Sequence, residues 1–142
     1  MDVEVNYLAV LLAAVSTMAV GSIWYAKGVF GNSWAKMAKV DLDRPMKGSQ
    51  IAWLMGSTFV ASLVTAYVLA HVTYLSFSFF DYSFMQSALT TAFWLWLGFT
   101  AARIYVHDAF ETRRKKLTFM TVSHELVTMG VMAAIIGLMG VS

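Results

Sequence analysis

Between Val5 and Ala26 the chain carries no formal charge, and three further stretches behave alike. Gly48–Phe80 and Tyr82–Ala102 lack Asp, Glu, Lys and Arg, and from Leu117 onward only His124 and Glu125 interrupt the apolar run. A helix crossing a bilayer needs about 20 mostly apolar residues, and each stretch supplies that length. In hydrocarbon every backbone polar group must be paired within its own segment, so helices are predicted. The alternation of a membrane-barrel strand is absent. The spans are placed near 5–26, 51–73, 84–106 and 117–140, in one all-α domain covering 1–142.

Composition removes the other classes. Hydrophobic residues make up 59% and charged residues 13%, the latter about half the usual soluble share. A soluble monomer would have to expose large apolar patches, which is rare. Disordered chains are apolar-poor and charge-rich, the reverse of this one. Without cysteine there is no disulfide scaffold, thiolate metal site or Cys nucleophile. Met1-Asp2-Val3-Glu4 places acid where a signal peptide carries base, so the first span is expected to be retained.

The ten basic residues predict orientation. Lys27, Lys36, Lys39, Arg44 and Lys47 lie in or beside the first loop, and Arg103, Arg113, Arg114, Lys115 and Lys116 lie at or after the end of the third span. By the positive-inside rule both loops are cytoplasmic and both termini face outward. The Arg113–Lys116 run reads as a topology anchor on anionic headgroups, and no nucleic-acid partner is expected. In the first loop a short interfacial helix is predicted over Ser33–Val40, with Ser33 as N-cap. Trp24, Tyr25, Phe30 and Trp34 read as interfacial anchors.

Lipid tails compete with apolar side chains, so membrane helices associate through small residues and polar contacts. Candidate packing rows are Ala9, Ala13, Thr17 and Gly21 in the first span and Ser57, Ala61 and Thr65 in the second, with Ser62, Ala66 and Ala70 beside them. Gly130 and Ala134 serve the fourth. In the third span an indole N–H near mid-membrane needs a partner, so Trp94 or Trp96 is expected to face another helix. A hydrophobic-ligand pocket there is the alternative.

The polar residues around the third loop form the candidate site. Arg103, His107 and Glu111 share a helix face at four-residue spacing, with Asp108 to one side. Thr121, His124, Glu125 and Thr128 form an arc of the fourth span. Ionisable groups at that depth are costly and mark function by default. The expected partner of Glu125 is Arg103, with His107 second. Three readings stand: a structural network joining spans three and four, a proton or ion pathway, and a metal or haem site. For the last, His107, Glu111, His124 and Glu125 match no tight ligand signature. His71 belongs to the opposite leaflet as an interface residue. No phosphate loop, nucleophilic triad or zincin motif is present, so neither enzymatic chemistry nor a cofactor is expected.

Several short motifs together carry a likeness. They are Asn6, the run Gly21-Ser22-Ile23-Trp24-Tyr25, Phe30-Gly31 with Trp34, Trp96-Leu97-Gly98-Phe99, Phe110-Glu111 followed by basic residues, and His124. In these the chain resembles the small four-span bacterial membrane family catalogued as domain of unknown function 1761. The resemblance implies a four-helix inner-membrane fold and supplies no activity. The family commonly follows Phe-Glu with Gly-Arg, where this chain has Thr112-Arg113. The leading expectation is a non-enzymatic membrane protein acting through helix association, with itself or other membrane subunits. A small channel or transporter is the alternative.

Overall fold

The computed structural model describes residues 3–141, so Met1 and Asp2 of the acidic start lie outside the described residues. It is helical, with no strand among the described residues. Helix α1 spans Tyr7–Trp24, α2 Asn32–Ala38, α3 Gly48–Phe79, α4 Phe84–Leu95, α5 Ala102–Phe110 and α6 Lys115–Met139. Two π-helical segments intervene, Lys27–Gly31 before α2 and Trp96–Ala101 between α4 and α5. Three helices, α1, α3 and α6, are long and apolar enough to cross a membrane by length and composition.

The predicted third span is one unbroken helical run divided by its π segment, which leaves α4 at 12 residues and α5 at 9. The second span is longer than predicted. Residues 74–79 contain no Gly or Pro, and the Ser78 hydroxyl bonds back to Tyr74 O at 2.9 Å, so α3 continues to Phe79. The loop beyond it shrinks to Phe80–Ser83. Helix α2 starts at Asn32, so Ser33 lies inside it and is no N-cap. The five-residue π turn running directly into α2 moved the helix start forward by one residue.

Local chemistry sets several ends. The Asn6 side chain accepts from the Ala9 amide at 3.1 Å, capping α1. Ser83 and Gln86 cap α4 reciprocally, at 3.2 and 3.0 Å. Helix α5 ends in a Schellman turn: Arg113 N donates to Asp108 O at 2.9 Å and Thr112 N to Ala109 O at 3.3 Å. Thr112 occupies the left-handed position of that turn, with φ 51°.

Helix α1 packs on α3 and α6, and α4 packs on the same two, closing a ring of four. The core is small at its centre: Ala9, Ala13 and Ala14 of α1, Ala66 and Ala70 of α3, Ala88 and Ala92 of α4, and Ala133 of α6. Leu69, Met129, Met132 and Ile136 fill between them. Alanine faces let the backbones approach closely, which strengthens dispersion contacts. Gly137 is the tightest such point, since a Cβ there would lie 2.7 Å from Met85 Sδ and 3.0 Å from Met85 Cα.

The predicted packing rows divide. Ala9 and Ala13 are buried, and the Thr17 hydroxyl donates to Ser62 Oγ at 2.8 Å. Ser57, Ala61 and Thr65 face outward, because the inward row of α3 is the neighbouring one through Ser62, Ala66 and Ala70. In α6, Gly130 and Ala134 are half-buried, and the packing face runs through Met129, Met132, Ala133 and Ile136.

Candidate functional site

At the end of the bundle where α1 runs into the first loop, α2 packs on α6. At this end the aromatic residues of one stretch, 21–34, meet a single residue of α6. The His124 ring lies against Trp24 (centroids 5.7 Å apart) and Tyr25 (5.0 Å). Its Nε2 is 3.9 Å from where a Cβ of Gly21 would stand. Phe30 covers Trp24 at 4.6 Å, and Trp34 covers Tyr25 at 5.1 Å. The four residues read as separate interfacial anchors are therefore one aromatic shell around His124.

Two features position this shell. Gly21 ends the small-residue row of α1; a methyl group there would just touch the imidazole at 3.9 Å, and a larger side chain would crowd it. The π turn at Lys27–Gly31 folds the chain back over α1, and at Gly31 a methyl group would overlap the carbonyl oxygens of Tyr25 and Ala26. Only glycine permits that closeness.

Polar partners complete the node. His124 Nδ1 is 3.4 Å from Glu125 Oε1, and Nε2 is 3.4 Å from Thr128 Oγ1. A carboxylate beside Nδ1 favours the proton there, leaving Nε2 to accept from the Thr128 hydroxyl. The indole Nε1 of Trp24 is buried and has no hydrogen-bond partner among the described residues.

A second polar node lies on the other side of α6. Asp108 is buried, and its carboxylate accepts from the Thr118 hydroxyl at 2.6 Å and from the Arg113 guanidinium at 3.3 Å. Burial of a charge is tolerable only with such pairing. Around it, Ala101, Tyr105, Ala109, Phe119 and Val122 line a groove of about 580 Å³ between α5 and α6.

The structure thus separates residues that spacing placed together. Arg103 and His107 share a face of α5, Glu111 follows as its C-cap, and all three are exposed. Glu125 pairs with its neighbour His124 rather than with Arg103 or His107. Asp108, placed to one side by spacing, is the buried member of the group. The four-residue spacing holds within α5; what it could not give is which face meets α6, and that face carries Asp108, bonded to Thr118. Thr121 bonds its own helix, at Leu117 O, 3.0 Å away. The candidate metal residues are not gathered, and no group of three or more His, Asp or Glu that could hold a metal ion occurs among the described residues. At the far end of the bundle, half-buried His71 rests against Tyr67 at 6.0 Å.

What spacing missed is the contact of α6 with the end of α1. One signal for it was available: Gly21 marks a gap in α1 at the depth of the polar pair in α6. Trp96 behaves as its indole demands, donating to Val122 O of α6 at 3.0 Å, while Trp94 stays 65% exposed.

The motif residues of the family likeness coincide with these devices. Phe30-Gly31 closes the first π segment, Trp96-Leu97-Gly98-Phe99 begins the second, and Gly21, Trp24, Tyr25, Trp34 and His124 build the node. No curated protein and no solved structure matches the chain. A family model matches residues 8–137, so the chain belongs to the family described as protein of unknown function (DUF1761).

Proposed function

We propose that this is a four-span protein of a bacterial inner membrane, with both termini outside, and that it works by lateral helix association rather than by catalysis. The contact is α3 against α3 of a second copy. The observation that carries this is the bareness of α3. In its most apolar window 6% of residues are buried, against 22% in α1 and 28% in α6. Along its first half, Gly48–Thr58 is exposed throughout.

That bare face is built for a backbone approach. Gly56 has nothing within 4 Å, and Ser57, Ala61 and Thr65 follow at four-residue spacing. The hydroxyls are already satisfied within the helix, Ser57 on Leu54 O at 3.2 Å and Thr65 on Ala61 O at 3.0 Å. A small, locally satisfied face favours helix packing over lipid contact, and a two-fold axis along the membrane normal pairs it with itself. A conduit between the third and fourth spans would need His124 to face α5, whereas its ring is turned to α1.

The absence of cysteine makes the test clean. Single Ser57→Cys and Ala61→Cys variants are oxidised in native membranes, with Leu12→Cys on exposed α1 as control. Disulfide-linked dimers at 57 and 61, and none at 12, are expected. Equal linking at all three positions, or none at any, overturns the reading.

A further inference from the structure

The groove between α5 and α6 has two unlike halves. Its walls are apolar, from Ala101, Tyr105, Ala109, Phe119 and Val122. Its mouth, at the turn joining the helices, carries Arg113 and Lys115. Asp108 at the base is already engaged by Thr118 and by one nitrogen of Arg113. A guanidinium has five donors, so most of those on Arg113 stay free, and its side chain is 40% exposed. Arg114, the N-cap of α6, offers no side-chain cap to the first amides of that helix. Arg114 and Lys116 are neighbours in sequence but do not line the groove, so its mouth carries two cations, Arg113 and Lys115, against Asp108.

An occupant must be apolar for most of its length and anionic at one end. Resting on the orientation proposed above, which puts this turn at the cytoplasmic headgroup level, we infer that the groove binds one anionic phospholipid. Its phosphate meets Arg113 and Lys115, and an acyl chain lies along Ala109, Phe119 and Val122. The volume, about 580 Å³, is within the roughly 300–1,000 Å³ common for small-ligand sites. Basic pockets between membrane helices on the cytoplasmic side suit such headgroups.

The test is native mass spectrometry of the full chain released from nanodiscs of equal phosphatidylglycerol and phosphatidylcholine. One retained phosphatidylglycerol, in preference to phosphatidylcholine, is expected. Arg113→Gln with Lys115→Gln lowers its retention on the order of tenfold, and Arg113→Lys restores most of it. Ala109→Trp, which fills the apolar wall without altering charge, also removes it. Arg114→Gln with Lys116→Gln, at positions that do not line the groove, lowers retention clearly less than the 113/115 pair. Far-ultraviolet circular dichroism confirms that each variant is helical. Equal retention of the two lipids, an equal loss in the 114/116 pair, or lipid kept by Ala109→Trp overturns the site. Labelling of Lys116→Cys by an impermeant thiol reagent checks the orientation independently. If position 116 is reached from outside while the groove still selects phosphatidylglycerol, the orientation fails and the site stands.

Discussion

The indole nitrogen of Trp96 donates to the backbone oxygen of Val122 at 3.0 Å, tying the start of the second π segment to the first third of α6. The bond lies among apolar groups, where an unpaired N–H is costly. Trp96→Phe removes the donor and part of the ring, and is expected to cost about 1–2 kcal/mol. Trp94→Phe, on the exposed neighbour, is expected to stay within about 0.5 kcal/mol. Unfolding in bicelles by denaturing detergent compares them.

Thr112 has φ 51° in the turn after α5, a conformation that a β-branched residue adopts at a cost. The resemblance places glycine at this position in the family. Thr112→Gly relieves about 1 kcal/mol of that cost, so a higher midpoint of thermal unfolding is expected. An unchanged or lower midpoint contradicts the strain.

Gly31 cannot carry a methyl group without displacing the Tyr25 or Ala26 carbonyl. Gly31→Ala is expected to lose on the order of 1–3 kcal/mol and to loosen the shell, read as a red shift in tryptophan emission from Trp24 and Trp34. Gly28→Ala, three residues earlier in the same turn with nothing within 4 Å, leaves the emission unchanged.

Gly21 and His124 share one gap between α1 and α6. Gly21→Leu overfills it and is expected to cost about 1–3 kcal/mol. His124→Ala empties it and costs a similar amount through lost packing and lost hydrogen bonds. Combined, the changes partly compensate, so the double variant loses less than the sum of the singles, with a coupling of about 1 kcal/mol. Strict additivity in the cycle would place the two residues out of contact.

The apolar runs were readable because about 20 consecutive uncharged residues mark a segment without reference to its neighbours. The pairing of an indole in the predicted third span was readable for a related reason, since a buried donor must be satisfied wherever it lands. The π segment after Leu95 was not readable, since no charge or proline announces it. Nor could spacing say which face of α5 meets α6: Asp108 turns inward, and Arg103, His107 and Glu111 stay outside. The row Ser57, Ala61 and Thr65 failed as an internal face for a simpler reason: the adjacent row is equally small, and spacing alone cannot choose between them.

The sequence by itself determined where apolar helices run, where the basic loops lie and which positions are small enough for close packing, because these follow from desolvation and side-chain size one segment at a time. Only the tertiary structure decided what His124 touches. That contact depends on the rotation of α6 about its axis, on the gap left by Gly21 and on the fold-back at Gly31. These three conditions lie far apart in the chain, and they meet only when the helices pack.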